Sequence, residues 1–86
     1  MESYIKEGYI FFVFTSVDGE AEVKRSLLRQ ILVQYGLVIS IGGLLVLKPD
    51  DLYVGKTMEK LRERVLKEFE FIFQEYKTNF SRAISR

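Results

Sequence analysis

Read for its apolar and polar positions, the chain alternates short runs that are apolar on both faces with long amphipathic stretches. Residues 9–14 read Tyr-Ile-Phe-Phe-Val-Phe, residues 37–41 Leu-Val-Ile-Ser-Ile and residues 44–47 Leu-Leu-Val-Leu. Runs this short, and this rich in β-branched and aromatic residues, are read as strands. A strand with one buried face alternates apolar with polar residues. These strands carry apolar residues on both sides, so each asks for two covers. Only two helical segments are available to provide them. The expected consequence is association: a second copy, a partner, or cover by the long C-terminal helix.

The first helix is read from the turn after residue 14 to about Tyr35. Its stripe is Val23, Leu27, Leu28, Ile31, Leu32 and Tyr35, a helical spacing. Asp18 stands at the N-cap, with Glu20 and Glu22 near the positive end of the helix dipole. Gly36 stands where a helix-ending C′ glycine belongs. Gly42-Gly43, between two apolar runs, suits the positive φ values of a two-residue hairpin turn. Thr57 offers the N-cap of a second helix. Its stripe runs through Met58, Leu61, Val65, Leu66, Phe69, Ile72, Phe73, Tyr76, Phe80 and Ile84 without a Gly or Pro. Residues 68–74 also alternate, and so admit a short strand in place of that part of the helix. Glu7-Gly8 admits a turn from a short strand over residues 3–6.

The order β-α-β-β-α is that of a ferredoxin-like α+β domain, one unit over residues 1–86. Right-handed crossover sets both helices on one sheet face, with the second hairpin strand beside strand one. The fold's usual fourth strand is missing or irregular unless residues 68–74 form it. Residues 9–14 are therefore expected to present a free edge, open to strand addition. About 27 helical residues span roughly 40 Å, twice the length of a six-residue strand. The helix should therefore overhang the sheet, leaving Phe73, Tyr76 and Phe80 in need of cover. Phe71 falls on the opposite helix face, among Lys60, Arg64 and Lys67, and is a candidate hydrophobic anchor. Together with Tyr9 and Phe11 on strand one, these aromatics are the candidate partner-binding residues.

Composition narrows the chemistry. The hydrophobic share of 48% is that of a folded chain, not a disordered one. A net charge of +1 gives no bulk pull toward nucleic acid. The chain contains no Cys and no His, which excludes disulfides, thiolate zinc sites and His-based catalysis. Any metal would be a hard ion on oxygen ligands. The N-terminal residues lack the basic region of a signal peptide, and the longest apolar run is too short to span a bilayer. The expected setting is therefore the cytoplasm, with no membrane. Few Asn or Gln beside many Glu, Lys, Arg and Ile fit a thermophile.

Gly55-Lys56-Thr57 sits where a phosphate loop would end, but the glycine that loop needs five residues earlier is Asp50. It reads as a helix cap after a loop. Asp18, Glu20 and Glu22, and separately Asp50 and Asp51, read as dipole-favouring helix starts, with magnesium binding as the sharper alternative. Lys24, Arg25 and Arg29 are placed on the solvent side of helix one. Lys77, Arg82 and Arg86 lie near the C-terminus beside Tyr76 and Phe80, a pattern able to touch phosphates and stack bases. Arg62 falls inside the apolar stripe, where it either snorkels or makes an ion pair at an interface.

Residues 9–14, the turn, residues 24–35, Gly36, residues 37–47 and then Glu59-Lys60-Leu61-Arg62 together resemble the small ferredoxin-like nuclease subunit of CRISPR adaptation complexes. They are also similar to the related domain of some bacterial repressors. The resemblance covers roughly residues 9–67. It implies a metal-binding Asp at the end of strand one, where this chain has Thr15 and Ser16 with Asp18 beyond. In size and composition the chain also resembles the small accessory subunit of crenarchaeal B-family DNA polymerases, which implies a non-catalytic subunit stabilising a polymerase. The expected function is that of a non-catalytic interaction or accessory subunit, with no cofactor, no metal and no catalytic residue. Its partner would be a protein or a second copy, and nucleic acid would be reached through that partner. The alternatives are a metal-dependent nuclease using Asp18, or a small homodimeric viral or host regulator.

Overall fold

The computed structural model describes residues 1–15, 19–53 and 57–84, with side chains through Ser81. Strands β1 (Glu2–Lys6) and β2 (Tyr9–Val13) form a hairpin and lead into helix α1 (Gly19–Leu32). A second hairpin follows, β3 (Gly36–Ile41) with β4 (Leu44–Pro49). A short 3-10 turn (Asp51–Tyr53) then precedes helix α2 (Thr57–Ile84). The strands make one antiparallel sheet in the order β1-β2-β4-β3. This is an α+β, ferredoxin-like arrangement with both helices on one side.

The fourth strand is present, and it comes from the N-terminus. Ser3 pairs with Phe12 and Ile5 with Ile10, so β1 occupies the side of β2 that was expected to be free. Two observations explain why it forms. Glu7 and Gly8 both adopt positive φ, 52° and 83°, as a primed two-residue turn demands. Arg62 of α2 then fastens the strand, its Nη1 donating to the Ser3 carbonyl at 3.1 Å and to Ser3 Oγ at 3.3 Å. Arg62 also pairs with Glu59 at 2.8 Å. The free edges are consequently β1 and β3, and Tyr9 and Phe11 lie in a central strand. Residues 68–74 are helical, within α2.

The core lies between sheet and helices. Ile10, Phe12, Leu45 and Leu47 from the sheet meet Leu28, Ile31 and Leu32 of α1 and Leu61, Val65 and Phe69 of α2. α1 packs on β3 and β4, and α2 reaches β1. Helix α1 ends at Leu32, not Tyr35. Residues 33–35 form a tight turn in which Tyr35 N–H donates to the Leu32 carbonyl at 2.9 Å. Gly36 is therefore the first residue of β3 and not a left-handed helix cap. Its requirement for glycine is steric: a Cβ there would collide with the backbone of Lys48, Pro49 and Asp50. In the second hairpin Gly42 takes φ 55°, as its turn needs.

The Tyr35 side chain closes the far end of the core. Its hydroxyl donates to Glu68 Oε1 at 2.9 Å, and its ring meets Tyr53 edge-on at 5.7 Å. Burial, reinforced by the bond to Glu68, pushes the phenol above its ordinary value of 10.0.

Candidate docking surface

Strand periodicity assigns every second residue of the sheet to the face away from the helices. Register makes that face three rows deep. The middle row is Tyr4, Phe11, Val46 and Ile39, side by side across all four strands. One flanking row is Glu2, Val13, Leu44 and Ile41. The other holds Lys6 beside Tyr9 and Lys48 beside Leu37. Nine of these twelve side chains are apolar or aromatic, and no element of the described chain lies over them. Tyr4 and Phe11 stack with centroids 4.8 Å apart and planes 6° off parallel, so the β1–β2 half of the middle row presents a flat aromatic surface. Leu37 and Ile41, on the edge strand, are each 62% exposed.

Tyr9 and Phe11, expected on a free edge, belong instead to the outer face of a strand paired on both sides. Tyr4, Val13, Leu37, Ile39, Ile41, Leu44 and Val46 complete it and were not among the candidate residues. The signal was available: Leu37, Ile39 and Ile41 share one parity, and the opposite parity holds Val38, which packs on the core.

The C-terminal aromatics divide. Phe69, Phe73, Tyr76 and Phe80 form a ladder of stacked rings 5.9 to 6.2 Å apart. Phe73, expected to need outside cover, is only 8% exposed and belongs to the core. The first turns of α1 reach far enough to shield it, with Lys24 Nζ 5.1 Å and Lys77 Nζ 4.8 Å from its ring centre. Tyr76 and Phe80 lie beyond that cover and are exposed, in a shallow groove with Gly19, Glu20 and Val23. Phe71 is 66% exposed on the far side of α2, alongside Lys67, Glu70 and Gln74.

The basic residues do not make one patch. Lys24 is engaged by Glu20 at 3.4 Å as well as by Phe73. Arg25 does not line the solvent side of α1. It lies on the Ala21–Leu28 side, its guanidinium 5.5 Å from the Phe14 ring and its Nε withdrawn from water. Arg29 is exposed, Lys77 sits on Phe73, and the side chains of Arg82 and Arg86 lie outside those described.

Asp18, the carboxylate on which metal-dependent cleavage would rest, also lies outside the described residues, as do Ser16, Gly55 and Lys56. Among the described residues no group of three or more carboxylates is placed to hold a metal ion. Among the same residues no helix is long and apolar enough to cross a membrane. Comparison of the chain with protein-family models, curated proteins and solved structures finds no match in any of the three. Nothing in those comparisons bears on the two resemblances drawn from the sequence.

Proposed function

We propose that this chain is a non-catalytic interaction subunit that docks through the outer face of its sheet. The observation that carries the reading is the apolar outer face, over which no described element lies: in its middle row Tyr4 is exposed, Phe11 and Ile39 are partly exposed and Val46 is buried, and Leu37 and Ile41 stand exposed at the edge. Soluble monomers seldom leave a contiguous apolar patch of more than a few hundred Å² in water. A stacked aromatic pair in the middle row and charges confined to the margins suit a docking site. The resemblances would set such a module beside a nucleic-acid machine in the cytoplasm, with nucleic acid reached through the protein partner. That extension rests on fold class, chain size and composition.

Light scattering at rising concentration, with affinity capture from lysate of the native host, tests the reading. Wild type is compared with the double variant Leu37→Lys, Ile41→Lys, whose changes fall on exposed positions. Wild type is expected to form a complex, with itself or a captured protein, that the variant does not form. Identical behaviour of the two proteins overturns the reading.

A further inference from the structure

We infer that the occupant of the outer face is a second copy of the chain, stacked face to face about a twofold axis that runs along the middle row. This rests on the docking role proposed above and adds the partner and its geometry.

The corners of the face select the axis. The face has four: Glu2 and Lys6 at the two ends of β1, Ile41 and Leu37 at the two ends of β3. Two identical sheets packed with strands roughly aligned, the arrangement of β-sandwiches, are related by a twofold axis lying in the plane between them. An axis along the middle row exchanges the flanking rows. Glu2 then meets Lys6 of the second copy, and Ile41 meets Leu37, each contact occurring twice. Opposite charges pair, and the two most exposed apolar side chains of the face bury each other. Lys48 falls in an end row, where its stem lies across Leu44 and its ammonium group reaches water off the end of the sheet.

The other in-plane axes fail this test. An axis parallel to the strands lays Glu2 on Ile41 and Lys6 on Leu37, which leaves all four charges without an opposite charge to pair with. Either diagonal axis sets one charged corner on its own copy, Glu2 on Glu2 or Lys6 on Lys6, and the remaining charge on an apolar side chain. Of these axes, only the one along the middle row pairs Glu2 with Lys6 and sets Ile41 against Leu37.

Size sets the strength. Four strands about 4.8 Å apart and five residues of about 3.4 Å each give a face roughly 19 by 17 Å. Two such faces fall at the small end of specific interfaces, below about 1,200 Å² in total. The dimer is accordingly reversible and forms with rising concentration.

Two independent readouts on the purified chain test the geometry. Because the chain has no cysteine, single variants can be mixed. Leu37→Cys mixed with Ile41→Cys should cross-link through a short bifunctional thiol reagent, while neither variant should cross-link with itself. At the other side of the face, Lys6→Glu should weaken the dimer by about tenfold, and the exchanged pair Glu2→Lys with Lys6→Glu should regain it. Antiparallel pairing of two β3 edges would give the same cross-link, so a cross-link without charge rescue overturns the face-to-face stack. Self-cross-linking of either cysteine variant overturns the axis. A wild type that stays monomeric at all concentrations overturns the second copy as occupant. In that case, capture of another protein that depends on Leu37 and Ile41 would still uphold the docking role, and its absence would remove both.

Discussion

On β2, Ile10 and Phe12 are withdrawn from water completely, while Tyr9 and Phe11, their neighbours in sequence, stay partly exposed on the other side of the same strand. The two faces of the sheet are made of similar residue types and differ in what lies over them. One has α1 and α2; the other has nothing from the described chain. Hydrophobic burial contributes roughly 25 cal/mol for each Å² removed from water, so the covered face supplies folding stability within the monomer. The bare face supplies little until something docks on it. Apolar residues in a strand therefore mark a surface that gains from burial, without stating whether a cover exists within the chain.

The largest effect should separate the faces directly. Phe12→Ala opens a cavity between sheet and helices and is expected to cost about 3–5 kcal/mol in denaturant unfolding. Phe11→Ala, one residue away, should cost about 1 kcal/mol in dilute solution. Equal losses would mean that the outer face is covered within the monomer.

Next comes the fastening of β1. Arg62→Leu keeps apolar bulk on α2 but removes the hydrogen bonds to Ser3 and the pair with Glu59. A loss of about 1–2 kcal/mol is expected. Hydrogen exchange should accelerate in β1 and stay unchanged in β3. Uniform acceleration would show that Arg62 supports the whole fold and not the edge strand.

A smaller effect is expected at Tyr35. Tyr35→Phe deletes the bond to Glu68 and should cost about 1 kcal/mol at neutral pH. The phenol is raised in the fold, so its contribution is complete below the unfolded value of 10.0 and is lost as pH rises through the higher folded value. Wild type should therefore lose stability above pH 10 more steeply than Tyr35→Phe. Parallel pH profiles would remove the coupling.

Much of this was legible in the chain, for reasons that can be named. The helical stripe from Met58 onward has no breaker, so α2 is continuous. Gly42-Gly43 between apolar runs fixes the β3–β4 hairpin. The excess of apolar faces over available covers follows from setting three two-sided runs against two helical stripes. What escaped was set by tertiary contact. β1 is a short polar–apolar alternation whose pairing depends on Glu7 accepting a positive φ and on a guanidinium arriving from α2. The end of α1 and the role of Gly36 are decided by the close approach of β4's backbone. Phe73 looked uncovered because the reach of α1's first turns over α2 is not written in local periodicity. Arg25 looked solvated for the same reason, since the ring of Phe14 beneath it belongs to another part of the chain.

Sedimentation velocity over a concentration series, on wild type and Ile41→Lys side by side, tests the bare face most directly. Ile41 is exposed at the sheet edge, so the variant should keep the wild-type helical signal and unfold within about 0.5 kcal/mol of it. Wild type is expected to shift from monomer to dimer as concentration rises, while the folded variant remains a monomer throughout. Wild type that sediments as a monomer at every concentration would contradict self-association through this face, and a variant that dimerises equally well would contradict the face as the place of contact.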